Sequence, residues 1–112
     1  MGAPSPQAAQ EPPAKRLSAI VGVAIEEYAK GVDANGKIIS TVELDEAAGF
    51  LRDAHDVARR LTIPGAAVAR LLLDSLGAAA ERRAPTSELA LIHHRFVVAL
   101  GLDGALDFPT RD

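Results

Sequence analysis

Residues 15–30 read KRLSAIVGVAIEEYAK, and the spacing of their apolar positions decides the fold. Leu17, Ile20, Val21, Ala24, Ile25 and Tyr28 recur at three- and four-residue steps, which places them on one face of a helix. Glu26, Glu27 and Lys30 fall outside that stripe, and Gly31 is a C-terminal stop. A first helix from about Lys15 to Lys30 follows.

Three more helical segments extend from it. Asp33-Ala34-Asn35-Gly36-Lys37 is a turn, since Asn and Gly both tolerate positive φ. Ile38 and Ile39 are too few for a sheet and are expected to form an extended strap closing one end of the molecule. Ser40 and Glu43 have capping-box spacing, so a second helix starts near Thr41. Its stripe of Leu44, Ala48, Leu51, His55 and Ala58 adjoins a second one of Ala47, Phe50, Ala54, Val57 and Leu61, a face broad enough for two neighbours. Thr62-Ile63-Pro64-Gly65 breaks the chain, with Pro64 suited to the first turn of a third helix reaching about Arg83. Val68, Leu71, Leu72, Leu76 and Ala79 are expected inside it, and Arg70, Asp74, Gly77 and Glu81 outside. After Ala84-Pro85, with Thr86 or Ser87 as cap, a fourth helix runs to about Leu100 and stops at Gly101. Leu89, Ile92, Phe96, Ala99 and Leu100 face the core.

Short connections favour antiparallel neighbours. The predicted fold is all-α, an up-down-up-down four-helix bundle over residues 15–112 that includes a C-terminal tail. Residues 1–14 hold four of the seven prolines and read as a disordered leader.

On the outer side of the fourth helix sit Leu91 and Val98, beside His94 and Arg95. A peripheral helix should be polar there. Either the tail folds back over this face through Leu102, Leu106 and Phe108, or a partner covers it. These four residues are therefore the partner-binding candidates.

Composition narrows the chemistry. A net charge of −3 argues against a general nucleic-acid binder. With no cysteine, disulfides, thiolate metal sites, thiol nucleophiles and c-type haem attachment are excluded. No apolar run is long enough to span a bilayer, and residues 1–14 lack the apolar core of a signal peptide. His55 and His93 are the metal-ligand candidates, with Asp56 or Glu88 nearby, yet neither a His-x-x-x-His nor a Glu-x-x-His pair supports them. Asp33-Ala34-Asn35-Gly36 fails as a calcium loop because its glycine falls at position four, not six. Glu43, Asp45 and Glu46 offset a helix dipole. No Gly-x-Ser-x-Gly elbow or Gly-rich phosphate loop is present. The residues point to no catalytic role and no cofactor.

The order of these elements resembles a known family segment. Arg16-Leu17 leads a helix ending in Glu27-Tyr28; an acidic-Asn-Gly-Lys turn with Ile38-Ile39 follows, then Glu43 through Phe50-Leu51, Ala84-Pro85, Leu100-Gly101-Leu102 and Pro109. This looks like the extracytoplasmic N-terminal helical domain of bacterial high-affinity iron permeases, including members fused to c-type cytochromes, over about residues 15–110. That family carries its Arg-Glu-x-x-Glu motif in membrane helices and its haem cysteines further along the chain. This sequence has neither, so neither permeation nor electron transfer is carried over. The resemblance implies a non-enzymatic periplasmic accessory or scaffold domain that docks on an integral membrane complex, an iron permease or a respiratory or photosynthetic assembly. Two other readings stand beside it: a His/carboxylate metal (iron) binding protein, and a cytoplasmic interaction module with Met1 as the true start.

Overall fold

The computed structural model describes residues 12–102. Four helices account for most of them: α1 (Pro13–Gly31), α2 (Thr41–Arg59), α3 (Ala66–Glu81) and α4 (Thr86–Ala99). The most extensive packing is of α1 on α2 and of α3 on α4, while α1 with α4 and α2 with α3 close the ring. Sequential neighbours joined by short links and packed around one core make an antiparallel four-helix bundle.

α1 begins at Pro13, two residues before its expected start, because proline suits the first helical turn and Ala14 is already buried. The anticipated stripe is there, with Leu17, Val21, Ala24 and Tyr28 buried and Ile20 and Ile25 packed against them. α1 ends where the backbone turns extended at Val32, and the carbonyl of Gly31 accepts from the amides of Ile39 and Ser40. Ser40 caps α2 as its spacing predicts, accepting from the Glu43 amide at 3.3 Å.

Ile38 and Ile39 depart from expectation. They do not close the bundle. Ile38 pairs antiparallel with Val32 through a single bridge, and both isoleucines point largely to solvent. Val32, at 5% exposure, and Tyr28 already fill that end of the core.

α3 is the larger correction. Leu76 and Ala79 are buried as expected, but Val68 and Leu71 are 52% and 66% exposed, and Ala66, Ala69 and Leu73 are buried in their place. Leu71-Leu72-Leu73 supplies a leucine to several faces, so the leucines alone do not choose. The alanines do, because small side chains let helices approach closely, and α2 buries its own alanines at 47, 54 and 58. The same rotation brings Arg70 partly inside, where it donates to the Ala58 carbonyl at 3.1 Å. Pro64 lies in a turn ahead of α3, not in its first helical turn. Gly65 is the N-cap, and a side chain there would collide with the Ala99 carbonyl.

α4 buries Leu89, Ile92, Phe96 and Leu100 as expected, with Val97 more deeply placed than Ala99. Pro85, not Thr86 or Ser87, is its N-cap, and no side chain caps it. Two helices end alike. The amides of Leu102 and Gly101 reach the carbonyls of Val97 and Val98, and those of Ala84 and Arg83 reach Ala79 and Ala80. Both are Schellman motifs, whose turning residue is left-handed. Gly101 (φ +77°) suits that role. Arg83 (φ +59°) carries a side chain through it, and its guanidinium bonds back to the Ala80 and Glu81 carbonyls.

Candidate functional site: exposed surfaces of the bundle

The outer side of α4 follows from which positions turn inward. With Leu89, Ile92, Phe96 and Leu100 committed to the core, Leu91, His94, Arg95 and Val98 must face out, and all four are exposed. Among the described residues no side chain hydrogen-bonds or ion-pairs with His94 or Arg95. Val68 and Leu71, one turn apart on the neighbouring α3, are further exposed aliphatics that sequence reasoning had placed inside. Leu106 and Phe108, the tail residues proposed to cover α4, lie outside the described residues; Leu102 packs against the core.

The two histidine candidates have different surroundings. His93 Nε2 lies 3.1 Å from the Ser18 carbonyl and 3.3 Å from the Ser18 hydroxyl on α1, with its ring tilted against Phe96. Burial pushes its pKa below the ordinary value, with a smaller push from His94, against the favourable bond to Ser18. This Ser–His contact is not a nucleophile pair. A carbonyl acceptor at Nε2 keeps the proton on that nitrogen, so it is not free to take one from the hydroxyl. His55 instead lines a cleft of about 360 Å³ beside Ala24, Tyr28, Leu51 and Leu76. No cluster of three ligand-type side chains among the described residues includes either histidine.

One cluster does form. Carboxylate oxygens of Glu27, Glu43 and Glu46 lie within 4.8 Å of one another. Antiparallel packing sets the last turns of α1 beside the first turns of α2, which brings Glu27 to the other two. Glu27 pairs with Lys30 at 3.4 Å. The close approach of the Glu27 and Glu43 carboxylates raises the pKa of Glu43 and lowers that of Glu27, with burial and the charges of Glu27 and Glu46 raising Glu43 further. Carboxylate oxygens are the kind of donor that hard cations prefer, though such cations take about six or more. The sequence held the signal for this grouping, since a short hairpin must juxtapose residues just before Gly31 with residues just after Ser40. Reading each acidic run on its own helix missed it.

No described helix is long and apolar enough to cross a membrane. Searches of curated proteins and of solved structures found no match. A family model does match, the iron permease-associated 4-helix bundle domain, over residues 5–86, which takes in α1 to α3 and ends at the first residue of α4. On that match and on its four-helix architecture, the chain belongs to the iron permease-associated four-helix bundle family.

Proposed function

We propose that this chain is a non-enzymatic accessory domain that docks on an integral membrane protein complex from the periplasmic side. Membership of a permease-associated family supports the membrane context. The observation that carries docking is the outer side of α4, where Leu91 and Val98 stay exposed beside His94 and Arg95. An exposed apolar patch rimmed by polar side chains is a common mark of a protein–protein contact. Val68 and Leu71 add apolar area on the adjoining helix. The bundle supplies a rigid scaffold for that surface, and no step of chemistry is assigned to its residues.

Capture from native membranes tests this. The tagged chain should retain a specific integral membrane protein, and Leu91→Ser with Val98→Ser should lower its recovery at least tenfold while thermal stability stays unchanged. Equal recovery with the substituted chain contradicts docking through α4. A fused reporter active only outside the cytoplasm tests the periplasmic placement, and a silent reporter on the natural gene product contradicts it.

A further inference from the structure

We infer that the end of the bundle formed by the α1–α2 hairpin is a second contact surface, shaped for a protein segment that sets arginine or lysine beside aliphatic side chains. The inference rests on the docking reading above and names the chemistry of one partner surface. Its apolar half is Ile38, Ile39 and Val42, the last two 61% and 62% exposed. Three large aliphatics within five residues face water although the fold has no need of them there.

Its acidic half adjoins directly. Glu43 follows Val42, and Glu46 lies one helical turn from Val42, so both share the start of α2 with it. Glu27 completes the trio, and only Glu27 has a cationic partner among the described residues. Like charges this close repel, and an arriving guanidinium or ammonium relieves that repulsion while its neighbouring aliphatics cover Ile39 and Val42. The charge also disfavours the other occupants. An anionic lipid surface meets three carboxylates. A second copy docked end to end brings two such trios together.

The surface is held in shape before any partner arrives. Asp33 Oδ1 accepts from the amides of Asn35 and Lys37 at 2.8 and 2.9 Å. The Asp33 amide donates to the Lys37 carbonyl, and the Ile39 amide to that of Gly31. A preformed loop loses little conformational freedom on binding.

The test is a chemical-shift titration of the full chain with a soluble peptide carrying two arginines between leucines, and with its counterpart carrying glutamates. The arginine peptide should give saturable shifts centred on Ile38 to Glu46. Glu43→Gln with Glu46→Gln should weaken it at least tenfold, Ile39→Ser with Val42→Ser likewise, and Asp53→Asn with Asp56→Asn should leave it unchanged. Equal response to both peptides, or an equal loss in the Asp53/Asp56 variant, overturns the inference. So does stronger saturation of the trio by calcium ion alone, by anionic vesicles, or by self-association. The peptide titration needs no membrane protein, so a negative result counts against this surface and leaves docking through α4 to its own test.

Discussion

The Tyr28 hydroxyl donates to the Ala84 carbonyl at 2.6 Å, joining α1 to the link between α3 and α4 across 56 residues of sequence. Both residues are buried. Burial pushes the phenol pKa up, while the charges of Arg83 and Arg82 pull it down. The bond gives the bundle's one tyrosine a polar partner and satisfies a buried carbonyl of the α3–α4 link. Tyr28→Phe keeps the ring and removes the donor, leaving that carbonyl unpaired, at a cost of about 1–3 kcal/mol. Denaturant unfolding should show a lower midpoint with unchanged slope.

The same link depends on Gly36. That residue sits at φ +82°, and a Cβ there would come within 2.7 Å of the Arg83 carbonyl. Gly36→Ala should destabilise by more than about 1 kcal/mol, since both the backbone conformation and the contact oppose it. Hydrogen exchange should then quicken at the Asp33–Ile39 turn. An unchanged exchange pattern would show that the hairpin and the α3–α4 link are independent.

The register of α3 is open to direct measurement. Leu73→Ala removes a fully buried side chain and should cost about 2–5 kcal/mol. Leu71→Ala should fall within about 0.5 kcal/mol of the parent, because that side chain faces solvent. A reversal of these two would mean that α3 is rotated from the position described.

His93 makes stability depend on pH in a stated direction. Its folded pKa lies below the ordinary 6.5, chiefly because burial disfavours the charged ring. The unfolded chain therefore binds the proton more readily. Stability from this group is complete above the unfolded value and declines as pH falls from there through the folded value. His93→Gln should flatten that part of the profile, and a profile unchanged by the substitution would exclude His93 as its source.

Much of the fold was legible because its determinants are local. The step of three and four in Leu17–Tyr28, the Ser40 cap and the Gly101 stop each act within a turn of helix. The losses came where the answer lies in another element. Leu71, Leu72 and Leu73 look alike to periodicity, and the alanines of the facing helix choose Leu73. Ile38 and Ile39 read as an apolar strap closing one end of the bundle, but Val32 and Tyr28 already fill that space. For the candidate surfaces, Leu91 and Val98 were visible as surplus apolar positions on an outer helix. The Glu27–Glu43–Glu46 trio was not, since it exists only once two helices are paired.

Docking through α4 is tested most directly by site-specific photo-crosslinking in native membranes. A photoreactive residue in place of Leu91 or Val98 should join this chain to one integral membrane protein, and the same residue in place of Asp53 on α2 should not. No crosslinked product from positions 91 and 98, or the same products from all three positions, would contradict the account.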